Sequence, residues 1–385
     1  MYTQVQTYRD GVDMTLEETY KEDLPKSGFL SFILLQINAQ QDGAPFQSGT
    51  DGKWRIVDYI DDISIVADGR SDIVTLPGTV CQFQSFLDQG ITPYDVIREY
   101  SNATQRQRFL INFGKYMWDP DHALSLADFD NVELNITNSL DSDDWQSADV
   151  RIFLGWLRDV SSLPDNRVRV QELWREYTTA QDGIEYLELP TALPIRRLLL
   201  QVYPDRDANG KCETSPYSVL QEILMTFQDG RLTVWDDDIE QLWIQNYTEL
   251  GIENIVQAAS YHNADYGFDV GLGSVRGFGA ISGSRDGAVS ATVPTREGDR
   301  DDCTQKLEGY EADSPVDFLA RGMAFQNCGV FRFDRYPDER DLLDPSTRGM
   351  GTVELQLHTR NQAAAADGTV RVVLDRLATP TQISR

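Results

Sequence analysis

The second half of this sequence repeats the first. Val132-Glu133-Leu134-Asn135-Ile136-Thr137 stands near the middle, and Val353-Glu354-Leu355-Gln356-Leu357-His358-Thr359 near the end. A second matching run follows each. Val150-Arg151-Ile152-Phe153-Leu154-Gly155-Trp156-Leu157 begins 18 positions after Val132, and Val370-Arg371-Val372-Val373-Leu374-Asp375-Arg376-Leu377 begins 17 after Val353. Upstream, Leu34-Leu35-Gln36-Ile37 matches Leu199-Leu200-Gln201-Val202, and a looser echo relates Val57–Ile63 to Val234–Ile239. Matches in one order, with apolar and polar residues alternating, mark two copies of one β-rich module. Gln36 to Val132 is 96 positions and Gln201 to Val353 is 152, so the second copy carries about 56 extra residues. Tyr261–Val316, rich in Gly, Asp and Ser, is the expected place for them. It reads as a long excursion (about 261–316) that projects into solvent from one end of the second module.

A chain of 385 residues has room for two domains of ordinary size, and 41% hydrophobic residues suffice for two cores. No apolar run reaches 18 residues, so no membrane-spanning helix is expected. Met1–Asp23 is polar and acidic and lacks the pattern of a signal peptide. The formal charge is −28, from 43 Asp and 19 Glu against 28 Arg and 6 Lys. Such a surface repels phosphate backbones, so no direct nucleic-acid contact is expected. The aspartate excess and lysine scarcity fit a halophilic source; the alternative is a plain soluble acidic surface. Cys81, Cys212, Cys303 and Cys328 show no C-x-x-C spacing. They read as free thiols or one incidental bridge.

Strands are expected at Phe29–Asn38, Trp54–Ala67, Ile73–Leu76 and Arg106–Met117, with Asp68-Gly69 as a hairpin turn. Thr79–Leu87 and Thr92–Tyr100 read as helices in a long connection, and Val168–Tyr177 as a linking helix. In the second copy, Ile184–Leu189 and Ile195–Tyr203 read as strands, Ser215–Phe227 as a helix, and Leu232–Ile244 as a long strand. The expected fold class is therefore all-β, with two tandem antiparallel sandwiches and short helices in the connections. Long connections between pairing strands favour a jelly roll over a meander. The divisions are an N-terminal arm (1–27), a first jelly roll (28–165), a linker helix (166–182) and a second jelly roll (183–385).

Catalytic constellations are hard to find. His122, His262 and His358 are scattered, and His358 occupies the place of Thr137 in the first copy, as a strand surface residue would. Asp61-Asp62, Asp143-Asp144 and Asp236-Asp237-Asp238 arise readily in a chain with 62 acids, and none identifies itself as a pair flanking a sugar. Asp205, Asp207 and Asn209, with Gly210, match the first half of a calcium loop. Position 12 is Pro216 instead of Glu, so a polar turn is the stronger reading. The seven tryptophans fall mostly in strand patterns and read as core or interface. No catalytic residue and no cofactor is assigned.

Two fused sandwiches, each with its long helical connection, resemble the double jelly-roll major capsid proteins of tailless icosahedral viruses, the lineage that includes the adenovirus hexon. The resemblance runs from about Gly28 to Leu377. It is carried by Arg98–Ser101, Phe109–Tyr116, Phe129–Leu134 and Ile184–Pro190, all structural stretches. It implies a non-enzymatic virion protein, assembled in the host cytoplasm. Such a protein forms homotrimers that act as pseudo-hexagonal tiles, with loop towers outward and terminal arms at the base. The implied partners are other copies of the chain, minor and vertex capsid proteins, and an internal membrane. The alternative from another class is a two-sandwich carbohydrate-active enzyme or lectin.

Overall fold

The computed structural model describes residues 1–42, 55–99, 102–163, 165, 167–178, 183–204, 219–228, 230–251, 254–262, 268–271, 275–282, 290–292, 304–308, 314–336, 342–344, 351–359 and 368–383. The first module contains β1 (Tyr2–Met14), β2 (Thr19–Asp23), β3 (Phe29–Gln41), β4 (Ile60–Ala67), β5 (Ser71–Leu76), helix α1 (Gly78–Gln89), β6 (Ile97–Glu99), β7 (Thr104–Asn112), β8 (Leu124–Ser125), β9 (Val132–Asn138) and β10 (Trp145–Arg158). The second contains β11 (Val168–Thr178), β12 (Ile184–Glu188), β13 (Ile195–Pro204), β14 (Glu222–Phe227), β15 (Leu232–Asp238) and helix α2 (Ile239–Leu250). An excursion with six described strands follows: β16 (Asn254–His262), β17 (Phe268–Gly271), β18 (Val275–Ser282), β19 (Ser290–Thr292), β20 (Thr304–Glu308) and β21 (Ser314–Met323). The module closes with β22 (Cys328–Arg332), β23 (Val353–His358) and β24 (Gly368–Ala378).

The strand orders prove the duplication. One sheet of the first module runs β1-β10-β3-β7, and its counterpart in the second runs β11-β24-β13-β22. The facing sheets run β2-β9-β4-β5 and β12-β23-β14-β15. Registers agree residue by residue. Gln36 lies opposite Arg151 and Gln201 opposite Arg371. Ala67 lies opposite Val132 and Phe227 opposite Val353. Even the irregularities repeat, since β4/β5 shifts register between Ile65 and Val66 and β14/β15 shifts between Met225 and Thr226. The three close sequence echoes thus fall on equivalent strands. The loose one does not, because Val57–Ile63 leads into β4 whereas Val234–Ile239 spans β15 and the start of α2.

Several expectations are corrected. Residues 1–27 are not an arm, because β1 pairs along β10 and β2 pairs along β9. The β1 register breaks between Thr7 and Arg9, and that of β11 breaks at the equivalent place, between Leu173 and Arg175. An arginine lies over the preceding aromatic ring in both, Arg9 over Tyr8 and Arg175 over Trp174. The linker helix is strand β11. Its charged residues look helical in sequence but are matched across strands, Glu172 to Arg376 and Glu176 to Arg371. Trp54–Ala67 is not one strand: a 3-10 turn at Ile56–Tyr59 precedes β4. The described part of Ser215–Phe227 is mainly strand β14, and the expected long strand Leu232–Ile244 breaks at Asp238, where α2 begins. Thr92–Tyr100 holds the short strand β6, not a helix. The extra strands of the second module run from Asn254 to Met323, so the excursion expected at 261–316 starts earlier and ends later. Its β16 pairs in parallel with β6, which joins the equivalent connections of both modules in one sheet, β18-β21-β16-β6.

Each sandwich closes on alternating apolar residues. Ile33, Leu35 and Ile37 fill the first core and Leu198, Leu200 and Val202 the second, all fully buried. Trp145, Trp156 and Trp243 are buried as well.

Candidate functional site at the seam between the modules

The two modules are joined edge to edge and face to helix. Strand β5 pairs in parallel with β11, fusing four strands of each module into one eight-stranded sheet. Helix α1 lies across this junction. It starts tightly, since a Cβ on Gly78 would stand 2.8 Å from Ile60 Cβ, and it ends at Gly90 in the left-handed conformation. Ser85 ties it to β7 by donating to the Leu110 carbonyl and accepting from the Leu110 N–H, both at 3.0 Å.

Among the described residues, six buried charges fill the seam. Asp88 of α1 accepts from Arg197 at 2.7 Å and from Arg169. Arg169 also binds both oxygens of Asp375 at 3.0 Å and the Gln84 amide oxygen at 2.7 Å. Arg196 and Arg197 each meet Asp334 at 3.0 Å. Arg196 reaches back to the first module by donating to the Lys115 carbonyl at 2.9 Å. Burial alone would raise the Asp88 carboxyl, but the guanidinium groups of Arg169, Arg197 and Arg196 outweigh it and hold it at about 2. Asp334 is likewise held well below the carboxylate range against its burial, chiefly by Arg197 and Arg196. Burial and then the adjacent Arg197 lower Arg196 to about 10. Five of the six groups belong to the second module: three buried arginines against Asp334 and Asp375, with the partly exposed Arg332 also on Asp334 at 3.1 Å. That face alone would bury one excess positive charge. Asp88 supplies the missing negative charge, so α1 seats where burial is electrically balanced.

A neutral network continues along the seam. Gln201 donates to Thr79 at 3.1 Å and to the Gln326 carbonyl at 3.0 Å, and the Gln326 side chain donates to Gln82 at 3.0 Å. Ala324, Gln326 and Asn327 all have positive φ, a conformation costly for residues with a Cβ. This strained turn drives Phe325 into the first module's core, 5.3 Å from Phe86.

The residues singled out in the sequence lie elsewhere. His122 is buried between Asp119 and Asp165, at 3.2 and 3.1 Å, and ties the β7–β8 connection to the segment between the modules. His358 stands on β23 beside Glu222, and His262 ends β16. Asp61-Asp62, Asp143-Asp144 and Asp236-Asp237-Asp238 occupy three separate places on the first facing sheet, the β9–β10 connection and β15. Asp205, Asp207, Asn209, Cys212 and Cys303 lie outside the described residues. Cys81 and Cys328 are buried free thiols. Among the described residues, no three His, Cys, Asp or Glu side chains are grouped to hold a metal ion. The seam charges carry no local motif, and only the fold brings them together.

No protein-family model matches the sequence. No curated protein matches it either. Solved structures do. The crystal structure of the STIV MCP superposes with a TM-score of 0.60 at 10% identity, over 100% of this chain and 99% of that one. The atomic structure of Sulfolobus Turreted Icosahedral Virus gives 0.59 at 10% identity, over 99% and 95%. The PBCV-1 virus capsid gives 0.53 at 9% identity, over 98% and 94%. This chain has the double jelly-roll fold of viral major capsid proteins. Within that double jelly roll, the seam is the contact that sets one roll against the other.

Proposed function

We propose that this chain is a major capsid protein whose homotrimers form pseudo-hexagonal tiles of an icosahedral shell. The observation that carries the reading is a repeated helix with two different environments. Helices α1 and α2 have the same length, the same left-handed glycine at the end and the same tie to the last strand of their sheet. Asn246 exchanges two hydrogen bonds of 2.8 Å with Val330, as Ser85 does with Leu110. Yet α1 has ten buried residues and α2 only three, because the second module covers α1.

The complementary face shows the same imbalance. Leu199 and Val373 are buried under α1, whereas their first-module equivalents Leu34 and Phe153 are only partly buried. The less buried α2 and the partly exposed first-module sheet face are the two halves of a second seam, which a neighbouring chain can complete. A head-to-tail contact of this kind closes into a ring when its rotation allows. Three chains give six modules. The fold likeness supports the virion setting and self-association. Minor and vertex proteins, an internal membrane and assembly in the host cytoplasm belong to the same reading. The glycan-binding alternative gains no support from Trp145, Trp156 and Trp243, which are in the cores.

Native mass spectrometry of the purified chain tests the reading. A species of three chains of 43.5 kDa is expected. A monomer at every protein and salt concentration would oppose it.

A further inference from the structure

Among the described residues, the two modules leave six strands at sheet edges: β1 and β7, β2 and β22, β12 and β15. Four of them form equivalent pairs, β2 with β12 and β7 with β22, so these are edges in both copies of the module. β1 and β15 differ. Their equivalents, β11 and β5, are interior strands because they pair with each other across the seam. An edge strand carries a row of backbone donors and acceptors ready to pair. Here the apolar side chains are exposed too: Val5 is 57% exposed on β1 and Leu232 53% on β15. Gln171, the β11 equivalent of Val5, is 2% exposed.

We propose that β15 of one chain adds in parallel to β1 of a second copy, with Trp235 opposite Val5 and Asp236 opposite Gln6. The register follows from the seam. Gln171 pairs with Val74 and Glu172 with Thr75. Matching β1 to β11 through their partners on β10 and β24 makes Val5 equivalent to Gln171 and Gln6 to Glu172. Matching β15 to β5 through β14 and β4 makes Trp235 equivalent to Val74 and Asp236 to Thr75. The added pairing continues the facing sheet of one chain's second module into the first module of the next, as the eight-stranded sheet does within a chain. The occupant is a second copy because the chain already makes this contact once with itself. The inference rests on the proposed trimer and adds to it a strand register.

Oxidative cross-linking of the full chain tests it. The chain carries Gln6→Cys and Asp236→Cys, with Cys212→Ser and Cys303→Ser, so that the buried Cys81 and Cys328 are the only other thiols. Both cysteine positions are exposed, and adjacent strands bring Cα atoms within disulfide reach. The control pairs Gln6→Cys with Asp238→Cys, two residues out of register. The expected result is a covalent trimer for the first pair, formed about 10-fold faster than for the control, a displacement of roughly 6–7 Å along the strand. A trimer by native mass with no link, or with equal linking in both variants, overturns the strand pairing and leaves the trimer standing. A monomer by native mass overturns both.

Discussion

Among the described residues, Asp88 is the one buried seam charge contributed by the first module, and two arginines of the second depend on it. Asp88→Asn should leave the second-module face with a buried positive excess and cost about 3–5 kcal/mol. A denaturant midpoint unchanged from the parent would contradict this. The pH dependence has a defined sign. The folded carboxyl sits at about 2, below its ordinary value. Its stabilisation is therefore complete above about pH 4 and is lost as the pH falls toward 2. Asp62 behaves oppositely. Burial, reinforced by Asp72 and Asp61, raises it to about 6. Its contribution is full below about pH 4 and lost as the pH rises through 6, so an ionised Asp62 is a cost at neutral pH. Asp62→Asn should stabilise the chain by about 1 kcal/mol at pH 8, after allowance for partial exposure, and by little at pH 4. Thermal melts at the two pH values separate these outcomes.

At the scale of elements, the same helix–strand tie is made by different side chains. Ser85→Ala and Asn246→Ala should each cost about 1–3 kcal/mol, because each leaves a strand N–H and C=O without a helix partner. If either variant unfolds at the parental midpoint, that tie contributes nothing. The strands that announced the duplication, β3, β9 and β10 with β13, β23 and β24, were legible because one face of each is core, which enforces alternation. β1 and β11 were not. β1 is exposed along nearly its whole length, and β11 is rich in charged residues whose partners sit on another strand. The seam was illegible for a related reason. Asp88, Asp334 and Asp375 are three acids among 62, and nothing near them in sequence names Arg169, Arg196 or Arg197. Reading α2 as strand also hid the equivalence of Gln84 with Gln245 and Asp88 with Glu249, which shows that the helix too is repeated.

For the whole molecule, the seam and the contact proposed between chains differ in kind. Where the second module presents Arg169, Arg196, Arg197 and Asp375, the first presents Thr3, Ser31, Phe32 and Gly155. Glu249, which stands where Asp88 does, is held by Arg335 of its own module. Among the described residues, the proposed contact between chains therefore has no counterpart of the buried ion network. It must also overcome repulsion between chains of charge −28. Lowering salt from molar to millimolar should release single chains while the melting of each chain stays nearly constant, since its seam charges are buried and balanced. Mass and melting followed together across a salt series check this. A mass unchanged at millimolar salt would mean that the acids lie away from the contact. The central claim is that one packing relation between modules is used within the chain and again between chains. A cryo-electron-microscopy map of the assembled particle tests it most directly. The account predicts six jelly rolls in a ring, with the transformation from first to second module within a chain matching that from second module to the next chain's first. A ring in which α2 faces solvent, or one built on a different contact, would contradict it.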